Sequence, residues 1–132
     1  MPVIRSQLDT RSESYKKNRE DMIEMLDYVD ELLVEVTAGG GEEAMQRLRS
    51  RDKLPIRERV ALVLDRDSPF MEISPLAGWN SYQPIGGGFL MGIGVISGVE
   101  CLIVGNDPSV MAGASTGAGE KKKMRGLKIS RE

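Results

Sequence analysis

Residues 89–106, "FLMGIGVISGVECLIVGN", constrain the fold of this chain more than any other stretch. Two apolar runs, 89–97 and 100–106, are joined through Ser97-Gly98-Val99. A connection that short predicts two strands folded back on one another. The second run is continuously apolar, which predicts a sheet covered on both faces and a buried Cys101. "FMEIS" at 70–74 alternates and predicts another short strand. Twelve of the fifteen glycines lie from Gly78 onward, so close backbone approach matters most in this half.

Ahead of the strands the texture is helical. Residues 1–13 are polar and without periodicity, the pattern of a loose arm. From Ser14 to Ala38, Met22, Met25, Leu26, Val29, Leu32, Leu33 and Val36 recur at three- and four-residue steps. They predict one amphipathic helix, ended by Gly39-Gly40-Gly41, with a stripe packed against a body or a partner subunit. A short helix is expected over 42–50. Another opens at Pro55 as its first helical residue, with Ile56, Val60, Val63 and Leu64 on one face. The domain reading is an arm and amphipathic helix over 1–38, followed over 39–132 by the start of a larger domain.

The chain contains no histidine among its 132 residues, which removes Ser-His and Cys-His nucleophile pairs and the usual zinc sites. Chemistry here must come from backbone donors, carboxylates, lysines or arginines; no metal site is expected. Eighteen basic and twenty acidic side chains leave a net charge of −2, with no global attraction to nucleic acid or an anionic membrane. The lone Cys101 argues for a reducing compartment. The first twenty residues lack a signal-peptide apolar core, and no run approaches membrane-spanning length. A cytoplasmic protein is the expectation.

Three motifs invite a ligand. "GASTGAGEKKKMRG", Gly113–Gly126, evokes a phosphate cradle, but a P-loop needs G-x-x-x-x-G-K-[ST], and here Ala118 and Glu120 stand where Gly and Lys belong. What remains is a small-residue loop before a basic helix starting near Gly119. It is either a shape for an anion or a surface loop before a solvated helix. "GIGVISG", 92–98, lacks the third glycine of a dinucleotide fingerprint and lies on a strand. Arg49, Arg51, Lys53, Arg57 and Arg59 form a basic elbow that needs no function, or that would suit a phosphorylated ligand. A buried strand and helix normally lead on to a further parallel strand. None follows Glu132, so the sheet is expected to be incomplete and the chain to be the front of a larger protein or to need a partner.

Taken together, K-L-x-x-R-E-R (Lys53, Leu54, Arg57, Glu58, Arg59), L-D-x-x-S-P-F (Leu64, Asp65, Ser68, Pro69, Phe70), the G-x-G-x-[IV]-x-G hairpin and Asn106-Asp107 resemble the opening of the carboxyltransferase (beta) subunit of biotin-dependent acyl-CoA carboxylases, of the propionyl-CoA and methylcrotonyl-CoA type. The resemblance implies an α/β, crotonase-like fold, only partly present here, with an N-terminal helical segment. It implies transfer of CO₂ from carboxybiotin to the α-carbon of an acyl-CoA, and an enolate stabilised by backbone N–H groups. Biotin would ride on a partner biotin carboxylase or carrier subunit, and the full-length subunit would form a homo-oligomer.

Carried over by the same resemblance, Asn106, Asp107, Gly113, Ala114, Ser115, Lys122 and Arg125 are substrate-binding candidates, with Ser109, Val110 and Lys121 beside them. No catalytic residue is expected within this chain, because the family's Gly-Gly-Ala segment would lie beyond Glu132. The family usually carries a basic or aromatic residue and a second glycine where this chain has Met111 and Ala112. A biotin-linked decarboxylase of the same fold is a related alternative. A non-catalytic assembly module, docking a partner through the long helix, or a truncated inactive fragment, is an alternative of a different class.

Overall fold

The computed structural model describes residue 3 and residues 6–132; residues 1, 2, 4 and 5 of the expected arm lie outside the described residues. The chain divides into two compact units, Met1–Leu32 and Leu33–Glu132.

In the first unit, Ser12 caps the long helix α1 (Glu13–Ala38): its Oγ accepts from the Tyr15 N–H at 3.2 Å, satisfying a donor that the first turn cannot. The 26-residue helix contains no Gly or Pro. Its apolar stripe is uncovered over most of its length. Met22, Met25 and Leu26 are each more than half exposed, and Val29 is exposed as well. The expected packing is realised only toward the helix end, in the second unit, where Val36 is buried.

In the second unit, Gly39-Gly40 turns the chain and α2 (Glu42–Arg49) follows, braced by Glu43–Arg47 one turn apart. Helix α3 runs Ile56–Val63. Pro55 is not its first helical residue but the capping one: ψ of 149° holds it extended. Ile56 and Val60 of α3 are buried against Leu90, with Leu64, Phe70 and Ile103 packed around them. The seat under Ile56 exists because residue 105 is Gly; a Cβ there would stand 2.3 Å from Ile56 Cδ1.

Among the described residues the sheet has three strands, β1 (Phe70–Glu72), β2 (Phe89–Ile96) and β3 (Val99–Asn106), in the order β1-β2-β3 and antiparallel throughout. Phe70 lies opposite Gly94, Phe89 opposite Asn106, and Ile96 opposite Val99 beside the tight connection. Asp65 clasps that connection: its carboxylate accepts from the Ser97 and Gly98 N–H groups, both at 2.7 Å, while its own N–H donates to Val95 O at 2.9 Å.

The burial expected of the second strand of the hairpin is found instead on the first. Phe89, Leu90 and Met91 of β2 are buried, whereas no residue of β3 is, with Val104 43% exposed and Cys101 intermediate instead of buried. β2 is paired on both sides; β3 is an edge strand in this chain, and an apolar run does not reveal which strand will be flanked. The last helix, α4 (Gly117–Ile129), lies over the face that carries Phe89 and Met91. Gly126 allows that approach, since a Cβ there would meet Met91 Sδ at 2.3 Å. Among the described residues no helix is long and apolar enough to cross a membrane.

Candidate functional site

The loop that leaves β3 holds most of the residues singled out from sequence. Asn106 ends the strand, and its Nδ2 donates to Gly113 O at 2.9 Å, closing the loop on itself. The Asp107 N–H donates to Gly88 O at 2.9 Å, and its Oδ1 accepts from the Ser109 N–H at 2.9 Å and from the Ser109 hydroxyl. Ser109 Oγ in turn accepts from the Gly40 N–H at 3.0 Å, joining the loop to the turn before α2. Asn106, Asp107 and Gly113 are therefore brought together in one hydrogen-bonded loop. Ser109 and Gly88 complete it.

The tip of this loop is strained. Met111 and Ala112 have φ of 46° and 54°, a left-handed region that costs an L-residue about 1–2 kcal/mol. Gly113 follows at φ 82°, where glycine carries no such penalty. The tip borders a cleft of about 210 Å³ lined by Tyr82, Gln83, Pro84, Met111, Ser115, Thr116 and Gly117. Ala114 lies between the two, exposed.

Helix α4 is docked through its own first turn. Thr116 caps it, its Oγ1 accepting from the Gly119 N–H at 3.0 Å and donating to Gly87 O at 3.1 Å. Gln83 Oε1 accepts from the Ala118 N–H at 2.6 Å. Those two amides are satisfied inside the protein, so the small-residue loop does not offer them to an anion. Ser115 donates to the Glu120 carboxylate, which also pairs with Lys123 at 2.9 Å; these contacts, Ser115 first, hold the Glu120 carboxyl below its ordinary pKa. Lys123 also lies over the Phe89 ring, 4.7 Å from its centre.

Lys122 points the opposite way from what its place in a basic helix suggests. It is 3% exposed, and its Nζ donates to Phe89 O at 2.7 Å and Gly86 O at 3.3 Å, with Glu72 Oε1 at 3.8 Å. Burial pushes its pKa down; Glu72 opposes that, and the Arg57 charge adds to it. Arg57 completes the cluster by a fork onto Glu72, at 2.8 and 3.3 Å. Lys122 thus anchors α4 to the turn at Gly86–Gly88, where three successive glycines have φ of 82°, 68° and 76°, and it presents no free ammonium to a ligand. Arg125 is exposed on an adjoining flank of α4 and borders a second cleft, of about 290 Å³, which Lys122 also lines. The seven candidates do not form one site. They divide into the loop Asn106–Ser115, the buried Lys122 and the outlying Arg125.

Sequence reasoning passed over Thr116, Gln83 and Glu72, and named Asp65 only as part of a motif. A Thr just before a helix is a readable cap signal. Nothing in the sequence pairs Glu72 with a lysine fifty residues on. Among the described residues no three or more His, Cys, Asp or Glu side chains gather where they could hold a metal ion.

The profile of the carboxyl transferase domain matches residues 47–131, from α2 to the end of α4. The chain belongs to this family. A probable biotin-dependent acyl-coenzyme A carboxylase beta2 subunit of Mycobacterium tuberculosis is 39% identical to it over 130 residues, covering 98% of the chain and 25% of that protein. A probable mitochondrial methylcrotonoyl-CoA carboxylase beta chain of Drosophila melanogaster is 38% identical over 133 residues, again with 98% of the chain and 23% of the relative covered. The beta subunit of P. aeruginosa geranyl-CoA carboxylase superposes with a TM-score of 0.88 at 37% identity, over 98% of this chain and 25% of that one. The α/β architecture is accordingly a part of the crotonase-like carboxyltransferase fold. The chain spans about a quarter of the length of the relatives it matches.

Proposed function

We propose that this chain is the opening part of an acyl-CoA carboxyltransferase, which moves CO₂ from carboxybiotin to the α-carbon of an acyl-CoA. The observation that carries the reading is the superposition on a carboxylase beta subunit over almost the whole chain, at 37% identity, alongside the domain match over residues 47–131. In this reading the loop Asn106–Ser115 borders the acyl-CoA cleft. Its hydrogen bonds through Asp107, Ser109 and Gly113 make it a preorganised rim, and the neighbouring cleft at Met111 and Tyr82 is open to an acyl chain. Arg125 contributes from outside the loop, and Lys122 serves by holding α4 in place.

Biotin belongs to the proposal as a group carried in by a partner biotin carboxylase or carrier subunit, and the full-length subunit is proposed to form a homo-oligomer. A cytoplasmic location is part of the same reading, supported by the single unpaired Cys101. One observation favours the assembly-module reading: the uncovered stripe Met22, Met25, Leu26 on α1 offers a surface for a partner.

The test is carboxylation by the full-length protein, supplied with a biotin-carboxylating partner, bicarbonate and ATP. Incorporation of labelled carbon into one or more acyl-CoAs of a short-to-medium chain series is the expected result. Absence of incorporation across the series, with the partner shown to carboxylate its biotin, would leave the assembly-module reading standing.

A further inference from the structure

The turn at Gly86–Gly88 has no side chains to pack, and its three left-handed residues leave its shape to the groups its carbonyls meet. Four successive carbonyls are taken up by α4, by its cap and by the loop after β3. Gly86 O and Phe89 O accept from Lys122 Nζ at 3.3 and 2.7 Å. Between them in the chain, Gly87 O accepts from the Thr116 hydroxyl at 3.1 Å and Gly88 O from the Asp107 N–H at 2.9 Å. The Lys122 ammonium therefore holds the backbone on both sides of the carbonyl to which the candidate loop is tied.

That hold is charged, and it is backed from behind. Lys122 is buried, Glu72 Oε1 lies 3.8 Å from its Nζ, and Arg57 forks onto the same carboxylate. A charge-assisted hydrogen bond is roughly twice as strong as a neutral one, so the short bond to Phe89 O is the firmest tie on the turn. The ion cluster and the base of the loop also share an interior: Arg57, Glu72, Gly86, Gly88 and Asp107 border one cavity of about 20 Å³. From Asp107 the order passes outward. Its Oδ1 accepts from the Ser109 N–H, its carbonyl accepts from the Val110 N–H at 3.1 Å, and Ser109 Oγ accepts from the Gly40 N–H. A shift at Gly88 moves the origin of all three bonds.

We infer that Lys122 is a positioning residue: its ammonium, backed by Glu72, fixes the Gly86–Gly88 turn and, through the Gly88–Asp107 hydrogen bond, the geometry of the loop Asn106–Ser115. Its role reaches past the anchoring of α4 to the rim of the site, and Lys122 itself touches no substrate. In the carboxyltransferase reading, on which this rests, that loop borders the acyl-CoA cleft. Displacing such a rim by about 1 Å misaligns the reacting groups and lowers turnover more than binding.

The experiment uses the full-length protein and three variants. Lys122→Met removes the ammonium and leaves Glu72 its Arg57 partner; Glu72→Gln keeps an acceptor for Arg57 and removes the charge behind Lys122. Val60→Ala, which weakens the α3 core away from the turn, is the control for lost stability. Native-state hydrogen exchange is expected to quicken about tenfold at the Asp107, Ser109 and Val110 amides in Lys122→Met, and less in Glu72→Gln, with Val60→Ala leaving them as in wild type. With a biotin-carboxylating partner, bicarbonate, ATP and the acyl-CoA that wild type carboxylates fastest, Lys122→Met is expected to lower kcat about tenfold while KM changes less than about threefold. Should Lys122→Met not fold, Glu72→Gln decides by the same two measurements. Exchange quickened in α4 alone, loop exchange quickened equally in Val60→Ala, or a wild-type kcat in Lys122→Met overturns the inference and leaves the carboxyltransferase reading intact. A wild-type protein that carboxylates no acyl-CoA overturns that reading instead, and the exchange comparison then decides by itself whether Lys122 sets the loop.

Discussion

The two basic clusters of this chain look alike in sequence and behave differently in the fold. In the elbow between α2 and α3, Arg49 is paired with Glu58 and Arg57 with Glu72, Arg51, Lys53 and Arg59 are exposed with no carboxylate within 4.0 Å among the described residues, and no cation is buried. In α4, Lys122 is drawn into the interior, Lys123 is neutralised by its neighbour one turn back, and Lys121 and Arg125 are left open. The lesson is that a run of positive residues sets only the number of charges. Whether a charge is free depends on which carboxylates and carbonyls the other elements bring to it. Glu72 decides the fate of Arg57 and Lys122, because this one largely buried carboxylate faces both clusters.

Removing Glu72 is the strongest way to break the contrast. Glu72→Ala strips the counter-charge from Arg57 and from the buried Lys122 at once, and is expected to lower unfolding free energy by about 3 kcal/mol in urea titration. A loss below about 0.5 kcal/mol, the size of an ordinary surface change, would show that Lys122 does not need its carboxylate.

Next in size is Gly119→Ala. Its new Cβ would stand 2.3 Å from the Gly87 carbonyl oxygen, so α4 must shift off the glycine turn that Lys122 anchors. The expected cost is about 2 kcal/mol, and hydrogen exchange should report faster opening of both α4 and the Gly86–Gly88 turn. Opening confined to α4 would mean that the two are not coupled.

A smaller effect is a slope in pH. Folding lowers the Lys122 pKa below its ordinary 10.5, so at neutral pH the folded chain holds that proton less favourably than the unfolded one. Stability contributed by this group therefore rises as pH climbs through the lowered value and levels off above 10.5. Denaturation curves across the alkaline range should show this rise in wild type and lose it in Lys122→Met. The same rise in both proteins would place its origin elsewhere.

The smallest expected effect comes from the elbow. Arg49 and Glu58 side chains are 54% and 42% exposed, and Arg49→Ala should change stability by less than about 1 kcal/mol, with much of that lost in high salt. A larger, salt-insensitive loss would make the elbow as structural as Lys122 and erase the distinction between the clusters.

Much of the chain was legible before its structure. The 3–4 periodicity of Met22 to Val36 announced α1, and Gly39-Gly40 its end. The short link at Ser97–Val99 announced the hairpin, whose eight-residue ladder forms as expected. The blocks around Lys53, Leu64 and Asn106 pointed to the carboxyl transferase family, and the match over 47–131 shows it. Less was legible at the candidate site. Asn106, Asp107 and Gly113 come together because they are near neighbours on one loop, whereas Lys122 and Arg125 part company on adjacent sides of one helix.

What the sequence determined by itself is local: where apolar residues repeat at helical or strand spacing, where glycines release the backbone, and which short blocks occur together. These depend on residues within a few positions of one another. Only the tertiary structure decided that β2 and not β3 is flanked on both sides, that Asp65 clasps a turn thirty residues away, and that Lys122 is buried while Lys121 is open. Each of these turns on which groups meet across the fold. The free energy of a charge or a buried amide is set by that meeting, and not by the residues beside it in the chain.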